Sequence, residues 1–144
     1  MITLESLDAN LNSTFNIFYK FRFSKDYLKN NINKKKYSKT NSRKWFEENS
    51  NFLNIYSINK SNSSIGLIVY NIKSFHYSIV ILKDYRSNGY ASIALKLLIN
   101  ILKKKKKKLI TFLKKSNTST LNLHKKFIKY KKSYNSEFYY VKIL

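Results

Sequence analysis

The residues best placed to do chemistry lie in one short stretch, Leu82-Lys83-Asp84-Tyr85-Arg86-Ser87-Asn88-Gly89-Tyr90-Ala91. An apolar run, Ile79 to Leu82, leads into it, and a helix-like pattern follows. Gly89 is one of only two glycines in 144 residues. A chain so poor in glycine keeps one where the backbone takes a positive φ or comes close to a ligand. The first turn of a helix leaves backbone N–H groups without intrahelical partners and carries partial positive charge. Those amides, with Arg86, form a nest for an anion. The stretch Arg86, Ser87, Asn88, Gly89, Tyr90 and Ala91 therefore reads as a cradle for phosphate or pyrophosphate.

The elements that must position this cradle follow from hydrophobic period. Phe52 to Ile58 and Ile65 to Tyr70 are short runs rich in β-branched and aromatic residues, separated by Ser61-Asn62-Ser63-Ser64, and predict a hairpin. After a turn near Asn71 to Ser74, Phe75 to Leu82 predicts another strand. Its continuous apolar end, Ile79 to Leu82, suits a central strand covered on both faces. Ala91, Ala94, Leu95, Leu98, Ile101 and Leu102 then recur at helical spacing, and this amphipathic helix runs into six lysines, Lys103 to Lys108. Leu109 to Leu113 predicts a strand. Leu121 to Tyr130 predicts a helix with Leu123, Phe127 and Tyr130 facing inward, and Glu137 to Leu144 a last strand. Upstream, Leu7 to Phe18 and the segment around Arg43 to Glu48 read as helices, and Asn30 to Lys36 as a loop. The order α, α, β, β, β, α, β, α, β predicts a mixed α/β layer.

The strand–loop–helix segment resembles motif A of the GNAT N-acetyltransferase superfamily, Arg/Gln-x-x-Gly-x-Gly/Ala, with Arg86, Gly89 and Ala91 at its three defined positions. A second stretch, Asn117-Thr118-Ser119-Thr120-Leu121-Asn122-Leu123-His124-Lys125-Lys126-Phe127, is similar to the superfamily's Asn-x-x-Ser-x-x-Leu-Tyr-x-Lys-x-Gly-Phe. Asn117, Leu123 and Lys126 match, Thr120 replaces Ser, His124 stands where Tyr is usual, and Ile128 stands where Gly is usual. The resemblance implies one GNAT-like domain over residues 1–144, a mixed central sheet with helices on both faces. It implies acetyl-CoA as acetyl donor, held by the strand residues Ile81 and Leu82, by Arg86 to Ala91, and by Asn117 and Lys126. The implied reaction is direct acetyl transfer to a small primary amine, with no metal.

Two histidines are candidate proton-transfer groups, and each has two readings. By the resemblance, His124 takes the place of the Tyr that protonates the departing thiolate; an imidazolium can do this near neutral pH. Otherwise it is a surface residue of a lysine-rich helix. His76 either serves as general base toward the amine or has an ordinary structural role. On the substrate side, Phe21-Arg22 followed by Asn41-Ser42-Arg43-Lys44-Trp45-Phe46 resembles a pattern of GNAT enzymes that acetylate amino-sugar nucleotides, with Ser42 where those have His. That resemblance implies Arg22 and Trp45 as substrate-binding residues. Trp45 and Phe46 also read as helix core.

Composition sets the remaining bounds. The absence of cysteine excludes disulfides, Cys-ligated metals and thiol nucleophiles. The longest apolar stretch, Ala91 to Leu102, is broken by Lys96 and Asn100 and is far short of the roughly 20 residues a membrane span needs. With no secretory pattern at the N-terminus, the expected location is cytoplasmic. A charge of +22, with 29 Lys and Arg against 7 Asp and Glu, invites a nucleic-acid partner. The accompanying wealth of Asn, Ile, Tyr and Phe points instead to compositional drift. Three acceptor readings follow: an amino sugar on a nucleotide carrier, a ribosomal-protein or peptide N-terminus, or no acceptor at all in a non-catalytic RNA- or DNA-binding module. Monomer and dimer both remain open.

Overall fold

A computed structural model describes residues 1–22 and 38–144; the loop expected at Asn30 to Lys36 lies outside them. Strand β1 (Ile2–Leu7) is followed by helices α1 (Asn12–Arg22) and α2 (Lys39–Asn49). Strands β2 (Leu53–Lys60), β3 (Ser63–Asn71) and β4 (Tyr77–Ile81) come next, then helix α3 (Tyr90–Lys104). Strand β5 (Ile110–Lys114), helix α4 (Thr118–His124) and strands β6 (Tyr130–Ser133) and β7 (Phe138–Lys142) complete the order.

The strands form two antiparallel sheets, ordered β1-β2-β3-β4 and β5-β7-β6. One isolated parallel bridge, His76 to Ile110, joins them, so the architecture is the mixed α/β class that the sequence implies. Helices cover both faces of the first sheet. Ala94, Leu95, Leu98, Ile99 and Leu102 of α3 pack on Ile58, Ile68 and Tyr70. Phe15 and Phe18 of α1 and Phe46 of α2 pack on Leu53, Ile55 and Leu67 from the other side. The hairpin of β2 and β3 stands as expected, with Ser61 at φ 55° in its turn. Asn71 closes the next turn: its Oδ1 accepts from the N–H groups of Lys73 and Ser74 at 2.9 and 3.0 Å.

The structure departs from the sequence reading in four places. Strand β1, Ile2–Leu7, has no counterpart in the sequence reading and takes the first residue of the segment read as helical, Leu7 to Phe18, where α1 begins only at Asn12. An edge strand that shows Thr3, Glu5 and Ser6 to solvent carries little apolar pattern. Helix α4 stops at His124, and Tyr130 opens β6 and is exposed rather than inward-facing. All four residues of β6 are exposed, so the strand exists through backbone pairing to β7 alone and leaves no hydrophobic trace. Lastly, β4 is not covered throughout: Ser78, Ile79 and Val80 are only half-buried, because β5 parts from it after the single bridge.

The six lysines lie at the C-terminal end of α3, where cations suit the helix dipole. With 15 residues at about 1.5 Å each, they stand roughly 20 Å from Gly89 at the other end. The remaining glycine has a packing role. A Cβ on Gly66 would collide with the Val80 carbonyl oxygen and come within 2.9 Å of Ile81 Cδ1. Glycine here lets β3 and β4 approach, and Gly66 is the register partner of Ile81, the last residue of β4 before the chain turns toward Arg86. Gly66→Val is expected to cost about 1–3 kcal/mol through overpacking. Thermal unfolding checks this: an unchanged midpoint would contradict the close approach.

Candidate active site

The parting of β4 from β5 opens a groove of about 760 Å³. Its first wall is the loop into α3. The chain leaves β4 at Ile81, makes a short 3-10 turn over Lys83–Tyr85, and passes Arg86 in extended conformation. Ser87 takes φ 65° and Gly89 φ 77°, two left-handed residues in three, which turn the backbone into the helix. Gly89 is the N-cap and no side chain caps the helix, so the first-turn amides stay available to a ligand. A Cβ on Gly89 would meet nothing within 4 Å, so the space beside it is open. Arg86 is drawn to the same corner: its Nε–H donates to the Ile81 carbonyl at 2.9 Å. Lys60, from the end of β2, sits over the Tyr90 ring at 5.2 Å and adds a cation that nothing in the sequence associates with the loop. These features fit a pyrophosphate.

Strand alternation divides the rest of the groove into two sides. Tyr77, Ile79 and Ile81 point to the α3 core, and Val80, with its alternating partners Ser78 and His76, to the α1–α2 side. On the α3 side stands His124, only 2 % exposed. Its Nδ1–H donates to the Thr120 carbonyl at 2.7 Å, which leaves Nε2 to accept the hydroxyl of Tyr77. Burial lowers the His124 pKa, partly opposed by the Thr120 hydrogen bond, and raises that of Tyr77 well above the usual phenol range. The ring is therefore neutral at pH 7 with both nitrogens engaged. It is not the surface residue that one reading of the sequence offered, and burial disfavours the imidazolium that the other reading needs. The Tyr77 partner was invisible because 47 residues separate the two.

On the other side the His76 ring packs against Phe112 of β5, centroids 5.7 Å apart and planes tilted by 43°. Burial, and secondarily the positive charge of Arg22, push its pKa down to about 4. The Arg22 guanidinium thus acts on this side of the groove, although Arg22 is not in its wall. Trp45 is not brought to the groove: it is 45 % exposed and stacks on Phe18 at 5.9 Å. Phe46, by contrast, is core.

Of the residues expected to hold the cofactor, Ile81, Arg86, Ser87, Gly89, Tyr90, Ala91, Asn117 and Lys126 line the groove, and Leu82 and Asn88 do not. Leu82 spends its N–H on the Ile65 carbonyl, and Asn88 folds its amide back onto the Arg86 carbonyl. Asn117 shapes α4 itself, its side chain accepting from the Thr120 N–H at 3.2 Å. No Asp or Glu lines the groove, and among the described residues no three His, Asp or Glu come together as metal ligands. No helix of the described residues is long and apolar enough to cross a membrane.

Residues 14–129 match the model of the acetyltransferase (GNAT) family. Among solved structures, the fold is similar to an N-acetyltransferase from Staphylococcus aureus Mu50, at 19 % identity and TM-score 0.67, covering 99 % of this chain and 97 % of that one. It is similar to the Campylobacter jejuni N-acetyltransferase PseH in complex with acetyl coenzyme A, at 16 % identity and TM-score 0.67, covering 99 % and 97 %. It is also similar to a spermidine N-acetyltransferase from Vibrio cholerae in complex with CoA and spermine, at 11 % identity and TM-score 0.72, covering 99 % and 95 %. No curated protein matches the sequence.

The His76 environment sets a pH dependence. Its folded pKa of about 4 lies below the unfolded value near 6.5, so above pH 6.5 neither state is protonated and His76 has no effect. As pH falls from 6.5 to 4 the unfolded chain gains a proton that the folded one refuses, and stability is lost by roughly 2–3 kcal/mol. A His76→Gln variant should lack this loss. Superimposable stability–pH curves for the two proteins would contradict the assignment.

Proposed function

The chain belongs to the GNAT acetyltransferase family, and from that premise we propose that it transfers an acetyl group from acetyl-CoA to a primary amine on an anionic scaffold, an amino sugar on a nucleotide carrier. The observation that carries the acceptor class is the charge of the groove. Its lining contains no carboxylate, and beside Arg86 and Lys126, which face the donor, it holds Lys114 of β5. A polycationic amine would enter without a counter-charge and against repulsion. An amine on a phosphate-bearing carrier meets the opposite field. The bound acetyl coenzyme A and CoA of two similar structures support the donor.

Acetyl-CoA supplies the acyl group as a thioester, reactive enough to pass directly to an amine. The amides at the start of α3, with Arg86 and Ser87, hold its pyrophosphate, and Asn117 and Lys126 form the wall opposite. Beyond the His76–Ile110 bridge, β4 pairs only with β3, so its other edge presents unladdered backbone groups to the groove. A backbone N–H on that edge is suited to polarise a carbonyl. The amine's proton passes to water in the groove; His76, neutral and with a pKa of about 4, accepts a hydrogen bond from the amine and orients it rather than holding its proton. His124 positions rather than protonates: clamped between Thr120 and Tyr77, it pins α4 against β4 and so fixes the width of the groove.

Acetyl transfer measured by thiol release against a panel of amines tests this reading. A nucleotide-linked amino sugar should be acetylated with kcat/KM at least tenfold above spermidine, an aminoglycoside or a peptide N-terminus. Preference for spermidine would overturn the acceptor class while leaving the donor in place.

A further inference from the structure

The second sheet carries a surface that the reaction as described does not use. In an antiparallel pair, directly opposed residues share a face. Phe112 of β5 opposes Tyr140 of β7, which opposes Lys132 of β6. The adjacent row on that face is Ile110, Lys142 and Tyr130. Thr111, Val141 and Leu113 alternate with these and are buried on the opposite side; on the same side the next pair is Lys114 and Phe138, and Phe138 is covered, so the open part of this face is the two rows alone. Tyr140 of the central strand lies in the middle of its row, and Phe112 on the β5 edge is met edge-on by Tyr134 at 4.8 Å and Tyr140 at 5.7 Å. Lys132 lies over the Tyr140 ring at 5.5 Å and Lys142 over the Tyr130 ring at 5.7 Å. Tyr134 is 55 % exposed and Tyr130 49 %. Neither row contains an acid, and the nearest in sequence is Glu137 of the β6–β7 turn. The face is continuous with the acceptor side of the groove, because Phe112 lines the groove and its ring packs at a tilt against His76.

Exposed rings interleaved with lysines are the chemistry that holds a planar base by stacking and its phosphates by charge. We propose that this face is the shelf for the carrier part of the acceptor, a nucleoside diphosphate whose base stacks at Phe112, Tyr134 and Tyr140 and whose phosphates meet Lys132 and Lys142. The proposal rests on the acceptor class above and deepens it: recognition is spent on the carrier, and the amine is delivered along β5 toward His76. Lysine alone would attract any polyanion, whereas the aromatic centre adds selectivity for a ring.

Calorimetric titration into protein saturated with CoA tests the shelf with the cofactor cradle already filled. Uridine and adenosine diphosphates should bind, and pyrophosphate at least tenfold more weakly. Tyr134→Ala, at an exposed position where folding is not at stake, should weaken the nucleotides roughly tenfold or more by loss of stacking. Its CoA affinity should stay within twofold. Equal binding of pyrophosphate, no nucleotide binding, or an unaffected Tyr134→Ala variant would overturn the proposal. A single-stranded oligonucleotide that binds far more tightly than either nucleotide would overturn it too, by assigning the face to nucleic acid. Acetylation of a nucleotide-linked amine without nucleotide binding would sink the shelf alone. Nucleotide binding without acetylation of any such amine would sink the proposed acceptor and leave the shelf.

Discussion

The structure depends on one broken ladder. β4 and β5 meet in parallel at His76 and Ile110, and the pairing goes no further. One residue on, Thr111 Oγ1 instead of a backbone amide reaches the Tyr77 carbonyl, at 3.2 Å. A continuous sheet would bury the edge of β4 and leave no space for a ligand. The interruption exposes backbone groups that a buried edge would have to satisfy, and it does so between two well-packed halves. α3 anchors the near half, with Leu95 and Leu98 fully buried, while the three-stranded sheet closes on Val141 and Ile143. The opening therefore belongs to a rigid scaffold rather than to a loose region.

The two sides of the groove answer to different chemistry because a strand alternates its side chains. Toward α3 the wall is a neutral clamp, His124 between Thr120 and Tyr77, and the free helix N-terminus at Gly89. Toward α1 it is aromatic and cationic, His76 and Phe112 with the Arg22 charge nearby. A phosphate-rich donor and an amine acceptor can therefore approach from opposite faces and meet at the gap. Net charge is the weakest guide to this. The conspicuous lysine run sits at the far end of α3, whereas the cations at the groove, Arg86, Lys114 and Lys126, come singly from three different elements and add little to the total.

Much of the fold was legible, for physical reasons that also explain the failures. The β2–β3 hairpin and α3 bury wide apolar faces, so their periods show. β1 and β6 are edge strands held by backbone pairing, and Tyr130-Lys131-Lys132-Ser133 has no apolar member pointing inward to mark it. At the site, Arg86, Gly89 and Ala91 could be found because a tight turn into a helix constrains residue type locally. Tyr77 and Lys60 could not, since their roles come from contacts across the fold. Trp45, read both as a substrate contact and as helix core, lies outside the groove and stacks on Phe18. His124 lies buried in the groove wall, and burial is not readable from a lysine-rich flank.

The central claim is that the left-handed turn at Ser87 and Gly89 makes a built anion cradle, distinct from the general attraction of a +22 chain for phosphates. Calorimetric titration of acetyl-CoA into the wild type and Gly89→Val, at low and high salt, tests it most directly. A valine at φ 77° is strained, and its side chain would fill the open space beside the helix N-terminus. The account predicts micromolar binding by the wild type that persists in high salt and a loss of at least tenfold in the variant. Binding that vanishes with salt, or that the variant retains, would contradict it.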